Sequence, residues 1–127
     1  ICQAVTQGAL ADIEVDFARQ ATVCKYISPA GYGVNPIVGE PIEFDEESLR
    51  ESGVRLYFAK MEHEDGQLVT TSSRSAALLG IGDSVSEAEE LVELAMQHVN
   101  GQYHVRHDIG KGITEGPVDW KFPPTAP

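Results

Sequence analysis

The sequence predicts an α+β domain in which a mostly antiparallel sheet is combined with one long helix and one short helix. Several runs rich in β-forming residues follow one another closely, an Asp-Gly pair joins two of them, and one segment after Ser84 has helical periodicity. Strands joined by short turns pair antiparallel, whereas parallel pairs need long crossovers. The 127 residues are enough for one domain with a core of its own.

A helix end and two strands are expected first. Residues 1–10 have the character of the last turns of a helix, which a glycine ends. In the run ADIEVDFA (11–18) apolar and acidic residues alternate, which predicts a half-buried strand. The run ATVCKYIS (21–28) is rich in β-formers and predicts a second strand. There we expect Cys24 to be a buried thiol and Lys25 to be a surface residue.

The middle of the chain predicts a loop, a short helix, a hairpin and a strand. The run 29–41 contains three glycines and three prolines and therefore indicates a loop. The run DEESLRESG (45–53) indicates a short helix that ends at its glycine. Residues 54–73 indicate a hairpin, because Asp65-Gly66 is a favoured type I′ pair between two β-rich arms. The small-residue run SAALLGIG (75–82) predicts another strand.

The long helix is predicted over Val85–Val99. Ser84 and Glu87 have the spacing of a capping box, in which each side chain satisfies a free N–H group of the first turn. One helix face is apolar and is expected to be buried: Ala88, Val92, Ala95 and Val99. The glutamates are expected to lie on the solvent side: Glu87, Glu89, Glu90 and Glu93. Asn100-Gly101 is expected to close the helix.

The run GQYHVRHDIG (101–110) carries the densest polar cluster. On a helix, His104, His107 and Asp108 would share a face and could chelate a metal ion. The alternation of apolar residues instead favours a strand, in which the two histidines point to opposite faces. Arg106 would also repel a cation between such ligands. We therefore predict a strand and no metal site, followed by an irregular tail.

Two arginines are candidates for anion binding. On the predicted last strand Arg106 shares a face with His104 and Asp108. This row is either a solvated ion pair or an arginine directed at a phosphate or carboxylate and steadied by the aspartate. Arg74 is a lone cation before an apolar strand, and it either extends into solvent or binds an anion at a cleft. The GIGD run (80–83) lacks the other features of phosphate-binding loops, so a plain corner is favoured.

Composition excludes several classes of function. The net charge is −11, and the nine lysines and arginines are scattered, whereas nucleic-acid binding needs a basic stripe. No apolar run reaches the roughly 18–20 residues that cross a bilayer, and the start lacks the features of a secretory signal. No Gly-x-Ser-x-Gly elbow is present.

Two cysteines make no disulfide framework, so a reducing cytosol is expected. Without an initiator methionine, the chain is expected to be a piece of a longer protein.

The order of these motifs resembles the C-terminal part of the phosphoribosylamine–glycine ligase (glycinamide ribonucleotide synthetase) family. The run LGIGDSVSEAEELVELAMQHVNGQYHVRHDIG (79–110) is similar to that family's C-terminal signature. Upstream, ATVCKYISPAGYG resembles its strand and glycine–tyrosine loop, and DGQLVTTSSR resembles its hairpin. Residues 1–15 resemble the segment that joins its ATP-grasp domain to the C-terminal domain. The form of the motifs is most similar to archaeal members.

The resemblance implies a cytoplasmic step of de novo purine biosynthesis. The whole enzyme would join glycine to 5-phosphoribosylamine through a glycyl phosphate, using ATP and Mg²⁺ (or Mn²⁺). The implied organisation is the end of the ATP-grasp domain and connector (1–15), a C-terminal domain of the rudiment single hybrid type (16–112) and an irregular tail (113–127). Nucleotide and metal ligands would precede this chain, so the chain alone is expected to be inactive, to hold no cofactor or metal and to carry no catalytic residue.

The resemblance also ranks the candidate site residues, which would line one wall of the active-site cleft. Arg74, with Ser73 beside it, is the first candidate for contact with a substrate phosphate or carboxylate. Arg106 is the second, with Asp108 as its partner. The alternatives are a self-standing small-molecule binding module or the C-terminal domain of another ATP-grasp carboxylase. The Arg-x-Asp-Ile-Gly ending (106–110) disfavours the carboxylase.

Overall fold

The computed structural model describes residues 1–112, and within them the chain forms three α-helices and eight strands. The helices are α1 (Cys2–Thr6), α2 (Glu46–Glu51) and α3 (Val85–Ala95). The strands are β1 (Ala21–Pro29), β2 (Ile42–Phe44), β3 (Arg55–Phe58), β4 (Met61–Glu64), β5 (Gln67–Thr70), β6 (Ala76–Gly82), β7 (Val99–Gly101) and β8 (Tyr103–Val105). The predicted irregular tail, with Trp120 and Phe122, lies outside the described residues.

Four strands form one antiparallel sheet in the order β3–β6–β1–β8. In its centre Lys25 of β1 lies opposite Leu78 of β6, and Ile27 lies opposite Val105 of β8. Two small antiparallel pairs, β2–β7 and β4–β5, accompany it. This arrangement, with α3 packed across β1 and β6, confirms the predicted α+β class.

The hydrophobic core lies between the sheet and the helices α2 and α3. Its fully buried side chains come from both sides of that space: Ile27, Ile42, Leu49, Leu78 and Val92. The predicted apolar stripe of α3 is confirmed, since Ala88, Val92 and Ala95 are all buried. Burial of each large aliphatic side chain contributes about 1.5–3 kcal/mol, so this contact is the main source of stability.

Helix α3 begins where the sequence predicts. The Ser84 Oγ accepts a hydrogen bond from the Glu87 N–H at 3.1 Å. The Glu87 carboxylate accepts one from the Asp83 N–H at 2.8 Å, one residue earlier than the usual capping-box donor. Helix α2 is capped in a similar way by Asp45, which accepts from the Ser48 N–H at 3.0 Å.

Helix α3 ends earlier than predicted. It stops at Ala95 and is followed by a 3-10 turn, Met96–His98, and then by β7. Val99 is buried, but it belongs to a strand, where it pairs with Phe44. Gly101 is therefore a strand residue opposite Ile42 and not a helix cap. The partner strand β2 is distant in sequence, so helical periodicity could not indicate the change.

The predicted strand over 11–18 is wrong. After a 3-10 turn at Leu10–Asp12 the chain runs without strand pairing, and Ile13, Val15 and Phe17 are exposed. An alternating pattern favours a strand only where another strand supplies hydrogen bonds and a core covers the apolar face. Within the described residues this segment has neither.

The first helix is confirmed as α1, and the glycine that follows it, Gly8, has a positive φ of 68°.

The predicted hairpin is right at its turn and wrong in its first arm. Asp65 and Gly66 have φ values of 49° and 82°, as a type I′ turn requires, and they join β4 to β5. The first arm is interrupted at Ala59 and Lys60, whose N–H groups bond to the carbonyls of Ser75 and Arg74. Its first half is β3, which joins the large sheet beside β6.

The two glycines of β6 allow α3 to approach the sheet closely. A Cβ atom on Gly80 would lie 2.2 Å from the Ala88 carbonyl oxygen, and one on Gly82 would lie 3.0 Å from the Ala88 nitrogen. The GIGD run is therefore a site of helix–sheet packing, in agreement with the predicted plain corner. Within residues 1–112 no helix is long and apolar enough to cross a membrane.

We expect Gly80→Ala to lower the free energy of unfolding by about 1–3 kcal/mol, because the added methyl group overpacks the helix–sheet contact. Gly82→Ala is the matched control, since its added Cβ meets its neighbours at 3.0 Å and should cost less. Urea unfolding of the three proteins measures both values. Equal stability of Gly80→Ala and the parent would contradict this account of the packing.

Candidate functional site

Strand β1 separates two environments, because successive side chains of a strand point to opposite faces of the sheet. Val23, Lys25 and Ile27 are buried on the face that α3 covers. Tyr26 lies on the other face and is exposed. The candidate site lies on this open face, and an ion-pair cluster lies behind it on the covered face.

Lys25 is fully buried, in contradiction to the surface position expected from the sequence. Its Nζ lies 2.7 Å from Glu89 Oε1 and 2.5 Å from Glu93 Oε1. It also donates to the His107 carbonyl oxygen at 3.1 Å. The expected solvent position of Glu89 and Glu93 is likewise wrong, because both turn toward this ammonium group. Sequence periodicity gives the face of a helix, but it does not show which strand residue that face meets.

The cluster shifts the pKa values of Lys25 and Glu93 toward their charged forms. Burial alone lowers the pKa of Lys25, but the hydrogen bonds and charges of Glu89 and Glu93 outweigh burial and raise it. For Glu93, burial raises the pKa, yet hydrogen bonds from Lys25 and His107 outweigh burial and hold the pKa below its ordinary value. The lysine and Glu93 therefore stay ionised over a wide pH range.

The turn after β8 rests on this cluster. His107 Nδ1 lies 3.0 Å from Glu93 Oε2, and the His107 carbonyl bonds to Lys25. Gly110, with a φ of 87°, lies close to the Glu89 side chain. A Cβ atom on Gly110 would be 3.0 Å from Glu89 Cγ. The predicted last strand is shorter than expected, since β8 ends at Val105 and this turn replaces its second half.

A cavity of about 360 Å³ opens on the other face of the sheet. Arg74 and Arg106, separated by thirty-one residues in the sequence, both line it. Its remaining lining comes from β1, the glycine-rich loop, β8 and the last turn: Tyr26, Ser28, Tyr32, His104 and Ile109. The Arg74 guanidinium carbon lies 4.4 Å from the centre of the Tyr26 ring, which is cation–π geometry.

Arg106 pairs with Asp108, as the sequence suggested, although the two lie in a turn and not on one strand face. The Arg106 Nε donates to Asp108 Oδ1 at 3.0 Å, and a second guanidinium nitrogen contacts Oδ2. The hydrogen bond from Arg106 holds the pKa of Asp108 below its ordinary value. Both side chains are exposed, so this pair orients the guanidinium more than it stabilises the fold.

The four predicted site residues thus have different positions. Arg74 and Arg106 line the same cavity, and Asp108 contacts it through Arg106. Ser73 does not line the cavity; its N–H donates to Thr71 Oγ1 at 3.1 Å, which shapes the turn before Arg74.

The tyrosines of the cavity are not among the site residues predicted from the sequence. Tyr26 could have been found, because every second residue of β1 shares its face. Tyr32 could not, since a loop side chain has no periodicity. Cys24, expected to be buried, is exposed on the same face as Tyr26.

His104 and His107 are separated as the strand alternation predicted. His104 lines the cavity, whereas His107 contacts Glu93 on the α3 side. Within residues 1–112 no three His, Cys, Asp or Glu side chains come together as metal ligands. Glu89 and Glu93 of α3 are both bonded to the Lys25 ammonium group. The donor groups of this part of the chain therefore do not fit a Mg²⁺ site.

Three comparisons with known proteins point to the same protein family. The model of the family described as phosphoribosylglycinamide synthetase, C domain, matches residues 22–112. Phosphoribosylamine–glycine ligases of Methanocaldococcus jannaschii and Methanocella arvoryzae are each 42% identical over 111 residues, or 87% of this chain and 25% of the relative. The crystal structure of the Thermotoga maritima phosphoribosylamine–glycine ligase superposes with a TM-score of 0.56 at 26% identity, covering 65% of this chain and 20% of that one. The chain spans about a quarter of the length of these curated relatives.

We expect the cluster to give a characteristic pH dependence of stability. Glu93 has a lowered pKa, so its contribution is present above the ordinary glutamate value of about 4.3 and is lost as the pH falls through the folded value. Lys25 has a raised pKa, so its contribution is present below about 10.4 and is lost as the pH rises through the folded value. Urea unfolding from acid to alkaline pH measures both limbs.

Glu93→Gln should flatten the acid limb of this profile, whereas Glu90→Gln, which removes an exposed carboxylate of the same helix, should not. Identical acid limbs in the two variants would contradict the assigned role of Glu93.

Proposed function

Because this chain belongs to the phosphoribosylglycinamide synthetase C-domain family, we propose that it is the C-terminal part of an ATP-dependent ligase that joins glycine to 5-phosphoribosylamine. The family match and the 42% identity to archaeal phosphoribosylamine–glycine ligases support this proposal. The reaction belongs to de novo purine biosynthesis, and its partners are small molecules. The proposed compartment is the cytoplasm, which the two unpaired cysteines favour.

In the proposed ligase this chain supplies one wall of the substrate cleft. Residues 1–15 end the ATP-grasp part and connect it to the domain formed by 16–112. ATP and its Mg²⁺ or Mn²⁺ bind to the part of the enzyme that precedes this chain. Residues 113–127 are proposed as an irregular tail.

The observation that carries the proposal is the convergence of Arg74 and Arg106 on one cavity in a chain of net charge −11. A guanidinium has five N–H donors in a plane, and those of Arg74 have no hydrogen-bond partner within residues 1–112. The Tyr26 ring covers one face of the Arg74 guanidinium, so the N–H groups at the edges of the plane are left for a ligand. Two such groups suit a phosphate or carboxylate, the anionic groups of the proposed substrates.

The remaining predicted residues have supporting roles in this proposal. Asp108 takes two donors of Arg106, so the other three remain for the substrate anion. Ser73 lies outside the cavity lining, and its proposed role is to shape the turn that precedes Arg74. Tyr26 and Tyr32 form apolar walls, which lower the local dielectric and strengthen the arginine–anion contact.

We expect Arg74→Ala in the full-length ligase to lower kcat/KM by about 10- to 100-fold, because hydrogen bonds to charged groups contribute about 1.5–3 kcal/mol. The free energy of unfolding should change by less than about 1 kcal/mol, the value of the lost cation–π contact. Arg74→Lys should restore only part of the activity, because an ammonium group lacks the planar fork.

The matched control is Arg50→Ala, which removes an exposed arginine from α2 outside the cavity. Steady-state kinetics with glycine and 5-phosphoribosylamine varied separately measure each variant. Full activity of Arg74→Ala would make Arg74 a surface residue and would refute its proposed role.

We also expect the 127-residue chain alone to bind no Mg·ATP in isothermal titration calorimetry, because the proposed nucleotide ligands lie in the preceding part of the enzyme. The full-length ligase is the positive control under the same conditions. Tight Mg·ATP binding by the isolated chain would contradict the proposed division of the enzyme.

A further inference from the structure

Lys25 uses all of its hydrogen-bonding capacity, and one of its bonds does not go to a carboxylate. An ammonium group has three N–H donors. Two go to Glu89 and Glu93 of α3, and the third goes to the His107 carbonyl oxygen at 3.1 Å. The lysine therefore connects the long helix to the backbone of the last turn, in addition to pairing with two carboxylates.

The last turn is tied to the same cluster by two further contacts, one of which joins Lys111 Nζ to Glu89 Oε1 at 3.7 Å. His107 Nδ1 lies 3.0 Å from Glu93 Oε2, so both the side chain and the backbone of this residue are held on the α3 side of the sheet. The turn itself is closed by two backbone bonds, Ile109 N–H to Arg106 O at 3.4 Å and Lys111 N–H to Asp108 O at 3.1 Å.

Arg106 precedes this anchored residue and points the other way. β8 ends just before it, at Val105, and the Arg106 side chain lines the cavity on the open face, whereas His107 contacts Glu93 and Lys25 on the α3 side. The two residues are adjacent in the chain, so fixing the backbone of one restricts where the side chain of the other can lie. An anchor on His107 therefore sets the direction of Arg106 toward the cavity.

On the cavity side, Arg106 is held less firmly by the residues that the structure describes. Its recorded partner within residues 1–112 is Asp108, which lies two residues away in the same turn and is itself exposed. A pair inside one turn moves together with that turn. The direction of the guanidinium is therefore decided by what holds the turn to the body of the domain.

We propose that Lys25 is a positioning residue for the anion site, which it serves by holding the His107 backbone so that Arg106 enters the cavity. The kinetic consequence rests on the proposed function of Arg106, whereas the structural consequence does not. If Lys25 were purely stabilising, its replacement would lower the free energy of unfolding without any specific effect on the last turn or on Arg106.

The first experiment measures amide hydrogen exchange by NMR in the complete 127-residue chain. In Lys25→Met we expect the Lys111 amide to exchange more than about tenfold faster than the change in global stability explains, because local opening of the turn becomes easier. Lys60→Met, which removes an exposed lysine elsewhere, should leave this exchange unchanged. Unchanged local exchange in Lys25→Met would overturn the proposal.

A second variant avoids unpaired buried charge. Lys25→Met alone leaves two carboxylates facing each other, which can prevent folding. The triple variant Lys25→Met/Glu89→Gln/Glu93→Gln keeps the shapes of these side chains and has no net charge in the cluster. It lacks the bond to the His107 carbonyl and the charged contacts of Glu93 with His107 and of Glu89 with Lys111, so the same faster exchange of the last turn is expected, and normal exchange would refute the anchoring role.

The second experiment is a double-mutant cycle in the full-length ligase. We expect the triple variant and Arg106→Ala each to lower kcat/KM by about 10- to 100-fold, the usual cost of misplacing a substrate-binding group. The combination should lower it little further, because the cluster acts through Arg106. Additive losses would show that the cluster does not act through Arg106.

The two experiments separate the two proposals. Full activity of Arg106→Ala together with faster exchange of the turn would refute the proposed role of Arg106 and leave the anchoring intact. Loss of activity in Arg106→Ala together with unchanged exchange in the Lys25 variants would refute the anchoring and leave the proposed function intact.

Discussion

The burial of the Lys25 ammonium group between the sheet and α3 is the constraint on which the rest of the structure depends. A buried charge is tolerated only when it is paired and fully hydrogen-bonded. Glu89 and Glu93 satisfy that requirement and thereby fix how α3 is rotated and placed over β1. Gly80 then lies directly under the Ala88 carbonyl, where no side chain fits. One polar contact and one steric contact thus define the same helix position.

The same arrangement divides the sheet into two faces with different tasks. The covered face holds the apolar core and the ion-pair cluster, while the open face carries the arginine-lined cavity. Both tasks use the same strand, because alternate residues of β1 belong to opposite faces. Lys25 and Tyr26 are neighbours in sequence, yet one holds the helix and the other lies beneath the Arg74 guanidinium. The stability of the domain and the shape of its site are therefore coupled through β1.

The parts of the fold that sequence reasoning found are those with a local cause. The Asp65-Gly66 turn needs positive φ at both residues, and the cap of α3 needs only Ser84 and Glu87, so both follow from a few adjacent residues. The parts that it missed depend on distant partners. The alternating run 11–18 meets no partner strand in the described residues, and Val99 pairs with β2 after the helix has ended. Periodicity records which side of a segment is apolar, but not what covers it.

The sequence by itself determined the α+β class, the start and apolar face of the long helix, and the two arginines as anion-binding candidates. Its motifs also carried the resemblance that the family match confirms. Only the tertiary structure decided that Arg74 and Arg106 share a cavity and that Lys25 is buried beneath it. The physical reason is that strand register brings β1, β6 and β8 side by side, and register is set by the packing of the whole sheet against α3.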